Sequence, residues 1–164
     1  MVSGQVIYEE EHERLEDICD RLVRDALAKA IFIIDQDGQL ITHTGETGDI
    51  EKTSLASLVA GSTAATGGIA EMLGEESFPV HFHEGENTHL HVSVVRKALI
   101  LVVVFDDRSS LGLVRLRVKR AYQEMEQVLD NLEKKRDDED GEQPDVFGDI
   151  SDDELDDIVN DTFG

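Results

Sequence analysis

Only one cysteine, Cys19, occurs in the 164 residues. That excludes an intrachain disulfide framework and any zinc site built on cysteines. Cys19 stands at helical spacing with Leu15, Ile18, Leu22 and Val23 and reads as a core thiol. Tryptophan is absent and aromatic residues make up 5% of the chain, although a hydrophobic content of 40% suffices for a core. Long apolar runs are missing too. The longest, residues 98–105, falls far short of the roughly 20 residues that span a bilayer. The opening MVSGQVIYEEE is too short and too acidic for a signal peptide, so the expectation is a soluble, cytoplasmic protein with no membrane insertion. Positive charge is scarcest of all. Residues 137–164 hold thirteen acidic side chains and no basic one, which leaves −9 of the formal −22 for residues 1–136. Such a chain repels nucleic acid and anionic lipid, and neither is expected as a partner.

What is present changes period along the chain. Leu15, Ile18, Cys19, Leu22, Val23 and Ala26 mark an amphipathic helix over residues 8–28. Two short apolar runs follow, 30–34 and 40–44, joined by the turn residues Asp35-Gln36-Asp37-Gly38, which predicts a β-hairpin. A second helix over 53–73 stops at Gly74 and Pro79. Residues 80–95 then alternate. Phe82, Leu90, Val92 and Val94 are expected on one face, and His81, His83, His89, His91 and Ser93 on the other, with Gly85-Glu86-Asn87 as the turn. The run 98–105, ALILVVVF, is apolar throughout and predicts a strand covered on both sides. A last long helix begins near Ser110, with Val114, Val118, Ala121, Tyr122, Met125, Val128, Leu129 and Leu132 as its stripe and Arg115, Arg117, Lys119 and Arg120 on its other face. The order is αββαβββα: an α+β fold, with a five-stranded antiparallel sheet between helices.

The second helix, TSLASLVAGSTAATGGIAEML, is unusual. Leu55, Leu58, Val59, Ile69, Met72 and Leu73 fall on one apolar stripe, while Ser57, Ala60, Gly61, Ala64, Gly67 and Gly68 carry almost no side chain. Glycine in a helix interior costs about 1 kcal/mol relative to alanine, so something large is expected close to that backbone. Two readings are open at this point: close packing on the protein's own sheet, or a bare surface for a partner. The other end of the chain is a candidate partner-binding element as well. Residues 136–149 have too little apolar content to pack and read as an acidic, disordered linker. Beyond it, Ser151 with Glu154 forms a capping box and Ile150 with Leu155 a hydrophobic staple. Leu155, Ile158, Val159 and Phe163 form a short stripe, so residues 150–164 read as a tethered docking helix. Packing of that helix back on its own domain is the other reading.

Little in the chain suggests catalysis of its own. The glycine-rich 61–68 stretch lacks the lysine of the phosphate-loop pattern, and Asp35-Gln36-Asp37-Gly38 lacks the further ligands of a calcium loop. Asp106, Asp107 and Arg108 read as a turn, with Ser109 or Ser110 as a cap. The one chemical lead is histidine. A hairpin turning at 85–87 sets His83 opposite His89 and His81 opposite His91, putting four imidazoles on one face within chelating reach of zinc or copper. Against this, no metal-site spacing is matched.

Several stretches resemble one family. FIIDQDGQLI, TSLASLVAGSTAATGGIAEMLGE, the FHEG at 82–85, VVVFDDRSSLGLVRLRVKRA and the ending ISDDELDDI are similar to the MglB-type family of bacterial gliding-motility proteins, within the Roadblock/dynein-light-chain superfamily. The resemblance covers residues 8–132 and the C-terminal segment. The acidic linker is the least family-like part, and of the histidines only His83 fits the pattern. The resemblance implies a Roadblock domain over 8–135, the linker over 136–149 and the docking helix over 150–164. It implies a homodimer whose middle strands pair edge to edge, with the two small-residue helices side by side. Two copies would bind one MglA-type Ras-like small GTPase at a cell pole and speed its GTP hydrolysis. They would do so by reshaping its switch regions so that the GTPase's own arginine and glutamine act, with no arginine finger from this chain. No cofactor is implied for this chain, because GTP and magnesium belong to the GTPase. The segment carrying Leu155, Ile158, Val159 and Phe163 is implied to dock on the GTPase and tune nucleotide exchange. A scaffold that holds a GTPase or polarity complex without accelerating turnover would need the same surface.

Overall fold

The computed structural model describes residues 7–142. Its elements follow the expected order: α1 (Glu9–Asp25), β1 (Ala30–Asp35), β2 (Leu40–Gly45), α2 (Lys52–Met72), β3 (Val80–Glu84), β4 (His89–Val95), β5 (Leu99–Phe105) and α3 (Leu111–Glu142). The five strands form one antiparallel sheet in the order β2-β1-β5-β4-β3. Among the described residues no helix is long and apolar enough to cross a membrane.

The sheet separates two cores. Alternate residues of the central strands, Ile31, Ile33, Leu99, Leu101, Val103 and Phe105, face α1 and α3 and meet Leu15, Cys19, Leu22, Val118 and Met125. The intervening Phe32, Ile34, Ile100, Val102 and Val104 face α2 and meet Ala56, Val59 and Ala60. Strand β5 is buried at every position because it lies mid-sheet with helices on both sides, as its unbroken apolar run predicts.

Local chemistry sets the joints. The Asp35 carboxylate accepts hydrogen bonds from the Asp37 and Gln39 amides, both at 2.9 Å, and shapes the β1–β2 turn. Gly38 closes that turn at φ +89°, and a Cβ there would lie 3.2 Å from Ser57 Cα, so the turn also lets α2 approach. Ser110 Oγ accepts from the Leu113 amide at 3.2 Å and caps α3, while the Asp106 carboxylate accepts from the Arg108 amide at 3.1 Å in the turn before it.

One boundary differs from expectation. Helix α3 continues to Glu142, so residues 136–142 are helical and not part of a disordered linker. Lys134, Lys135 and Arg136 each precede an acidic residue, Asp138, Glu139 or Asp140, by four positions, a spacing that supports a helix against its poor composition. The expected docking helix at 150–164, with Leu155, Ile158, Val159 and Phe163, lies outside the described residues, as does the linker from 143 onward.

Candidate functional site

Helix α2 meets the sheet through small side chains. Ala56, Val59, Ala60 and Ala70 are its buried residues, and short side chains let it sit close to the bulky face of β1 and β5. The larger apolar residues expected to form its inward stripe mostly do not point inward. Leu58, Ile69, Met72 and Leu73 are 72%, 52%, 87% and 68% exposed; of that stripe only Val59 is buried, with Leu55 packed at the margin. The reason is steric: the sheet beneath already carries Phe32, Ile34 and Ile100, which leaves room for alanine but not for a row of leucines.

The small residues divide accordingly. Ala60 is buried against the sheet, whereas Ser57, Gly61, Ala64, Gly67 and Gly68 are exposed. Among the described residues, a Cβ built on Gly61, Gly67 or Gly68 would meet no atom within 4 Å. Packing among the described residues therefore does not account for these glycines, each of which weakens the helix by about 1 kcal/mol. Between Lys52 and Glu71 the helix has no charged side chain, in a chain that is 32% charged. The result is a flat, uncharged strip bordered by exposed leucine, isoleucine and methionine. Under its C-terminal half, a cleft of about 600 Å³ opens between Thr63 and Gly67 on one side and Phe78, Val94 and Ile100 on the other. Strand β3, which follows Pro79, is an edge of the sheet with Val80 half exposed.

The histidines do not gather as expected. Glu84 pairs with His89, His83 with Leu90, Phe82 with His91 and His81 with Val92. Four residues, 85–88, turn the hairpin, and this register puts even positions of β3 on the same face as odd positions of β4. Phe82 thus joins His89 and His91 on the α3 side and stacks on Phe105, with centroids 6.1 Å apart. His81 and His83 share the other face with Leu90 and Val92. No face carries four imidazoles, and no group of three metal-ligating side chains forms among the described residues.

The cationic face of α3 lies across the sheet from α2, because its apolar stripe packs in the core shared with α1. Arg115, Arg117, Lys119 and Arg120 are exposed there, and Arg120 donates to Glu124 at 3.1 Å. Near the α2 cleft, Arg96 is already committed to Glu126 and Asp130. Arg108 bridges Glu46 and Asp106, and its hydrogen bonds hold both carboxyls below their ordinary range. Cys19 is fully buried; burial, then Asp20 and Glu16, push its thiol up to about 12, consistent with a packing role.

The exposed apolar row on α2 was not legible as exposed from hydropathy alone. The available signal was its phase: Ala56, Val59, Ala60, Thr63 and Ala70 follow one line along the helix, and Leu58, Ala65, Ile69 and Met72 follow another roughly opposite.

Comparison with known proteins follows the same outline. Residues 14–105 match the Roadblock/LC7 domain. Among solved structures, Myxococcus xanthus MglB is 50% identical and superposes with a TM-score of 0.74 over 77% of this chain and 96% of that one. The gliding protein MglB of Thermus thermophilus is 31% identical, with a TM-score of 0.74 over 79% and 99% of the two chains. An MglB with a tetrameric arrangement is 30% identical, at 0.75 over 80% and 99%. No curated protein matches by sequence comparison.

Proposed function

The chain belongs to the Roadblock/LC7 family, within its MglB group, and on that premise we propose that it is a GTPase activator. Two copies pair through the β3 edges and together bind one MglA-type Ras-like small GTPase in bacterial motility and polarity, at a cell pole. The observation that carries this reading is the outer face of α2. Among the described residues, nothing approaches the Cβ positions of Gly61, Gly67 and Gly68, and Leu58, Ile69 and Met72 beside them are exposed. An uncharged strip of this kind suits a large, flat partner that excludes water on contact. Ser57, Gly61, Ala64, Gly67 and Gly68 form the contact, while Ala60 sets the helix height beneath it.

Activation then works through binding alone. A well-placed arginine accelerates hydrolysis by about 10³–10⁵ whichever chain supplies it, so a surface that holds the switch regions in place suffices. GTP and magnesium stay with the GTPase, and this chain supplies no reacting group. The segment at 150–164 adds a second contact on the GTPase through Leu155, Ile158, Val159 and Phe163, and modulates nucleotide exchange. Single-turnover GTP hydrolysis by the cognate GTPase, with and without this protein, tests the proposal. Acceleration supports it. Tight binding with an unchanged rate would make the protein a scaffold instead.

A further inference from the structure

The sheet has two edges, and their outward backbone groups are not in the same state. On β3 the register with β4 runs unbroken from Val80 to Glu84. The Val94 amide donates to the Pro79 carbonyl at 2.8 Å, so by antiparallel alternation the backbone groups of Val80, Phe82 and Glu84 point away from the sheet. Among the described residues none of these groups has a hydrogen-bond partner.

Strand β2 is different. Its sequence, LITHTG, holds no lysine, proline or acid, the residues that usually blunt an exposed edge. The Glu46 amide donates to the Lys29 carbonyl at 2.8 Å, so Thr44 and Thr42 face β1 and the backbone of Gly45 and His43 points outward. A bulge interrupts the other end: Ile33 pairs with Thr42 and Ile34 with Leu40, which leaves Ile41 without a partner on β1. Two acceptors on this edge are then occupied. The Thr47 amide donates to the Gly45 carbonyl at 3.0 Å, within the same loop. His12 of α1, 29 positions away in sequence, donates from Nε2 to the Ile41 carbonyl, also at 3.0 Å. A carbonyl only accepts, so Nε2 carries the proton. Glu16, one turn along α1, places Oε1 3.5 Å from Nδ1 and holds the ring in this orientation. Between the two occupied carbonyls, His43 alone keeps an outward amide and carbonyl without a partner among the described residues. One residue does not support a ladder.

We propose that His12 is an assembly-limiting cap. By occupying the Ile41 carbonyl it closes β2 to the β2 of a second copy of this chain, and leaves β3 as the edge that pairs. With both edges open, β3-to-β3 and β2-to-β2 pairs would alternate without end, and the sheet would run from molecule to molecule. The inference concerns the edge opposite to the proposed dimer seam and does not need that seam to hold.

The full chain is compared with His12→Ala, His12→Leu and His12→Gln by light scattering at about 0.5 mM, where a pairing with Kd of about 0.1 mM leaves roughly a quarter of the edges free. Amide exchange at His43 reports on the edge itself. Alanine and leucine keep α1 helical but cannot donate, whereas the glutamine amide can reach the same carbonyl. The two donorless variants should approach twice the mass of wild type, and their His43 amide should exchange about threefold more slowly. His12→Gln should match wild type. Equal masses and equal His43 exchange in all four chains would overturn the proposal, as would a wild type whose His43 amide is already protected by a second copy. Heavier donorless variants in which His43 exchanges faster would overturn it too, because their association would follow from loosening of α1. A heavy His12→Gln would do the same, since ring packing and not the hydrogen bond would then close the edge. A wild-type monomer whose donorless variants dimerise would support the cap while removing the β3 seam.

Discussion

At the scale of single residues, burial and backbone geometry each make a prediction. His91 sits between Phe82 and Val103 on its neighbouring strands and under Arg115 and Lys119 of α3. Its pKa is lowered below 6.5 by burial first and Arg115 second. The unfolded chain therefore binds a proton at this ring more readily than the folded one. The stability tied to neutral His91 is complete above about pH 6.5 and is lost as pH falls from there through the lower folded value. Urea unfolding at pH 7.5 and 5.5 should show wild type losing stability relative to His91→Gln as the solution is acidified; a pH-independent difference would mean the ring is not desolvated. The β4–β5 turn makes the other prediction. Arg96 and Lys97 hold φ of 51° and 55°, with the Ala98 amide donating to the Val95 carbonyl at 3.0 Å. Both central residues of this primed turn sit in the left-handed region, which costs a side-chain-bearing residue roughly 1–2 kcal/mol. Arg96 is tied to Glu126 and Asp130, whereas Lys97 makes no ion pair among the described residues. Lys97→Gly should thus raise the unfolding free energy by about 0.5–1 kcal/mol after the added freedom of the unfolded glycine is counted.

At the scale of elements, α2 is where sequence pattern and structure part company most clearly. Element order, the covering of β5 on both faces and the Asp35–Gly38 turn were all legible, because each rests on local periodicity or turn chemistry. The direction of the α2 faces was not, since hydropathy counts leucines without knowing that Phe32 and Ile34 already fill the space below. The histidine face failed for a related reason. Turn length decides parity, and one extra loop residue sends His81 and His83 to the opposite side from His89 and His91. The extent of α3 was hidden by acidic composition, which describes solubility better than local helix support. The open space around Gly68 turns the α2 reading into a clean test. A Cβ at Gly68 meets no atom of the other described elements within 4 Å, and Ala64 is exposed one turn earlier. Ala64→Arg with Gly68→Arg should therefore leave the circular dichroism and melting of the chain near wild type while abolishing GTPase binding. Full stimulation of hydrolysis by that folded double variant would place the contact on another face.

At the scale of the whole molecule, the sheet is both a scaffold and a barrier. One edge, β3, offers unpaired backbone groups, and exposed edges of this kind invite pairing with another chain. Light scattering at micromolar concentration should accordingly return about twice the 18.2 kDa of one chain; a monomer would remove the composite surface that the proposed function needs. The barrier decides how activation can work. Arg115, Arg117 and Arg120 belong to α3, whose apolar stripe packs with α1 on one face of the sheet, while α2 packs on the other. A GTPase seated on α2 has the full thickness of the sheet between its nucleotide and these guanidinium groups. Sheet-to-helix spacing of about 10 Å on each side exceeds the reach of an arginine side chain from α3. Arg96, which lines the α2 cleft, is held by Glu126 and Asp130, so on the proposed reading the arginine that stabilises the transition state comes from the GTPase itself. Single alanine substitutions of Arg115, Arg117 and Arg120 should each lower stimulated hydrolysis by far less than the 10³-fold or more that follows loss of a catalytic arginine. A loss of that size with GTPase binding intact would mean that the GTPase is held against α3, on the side of the sheet opposite to α2.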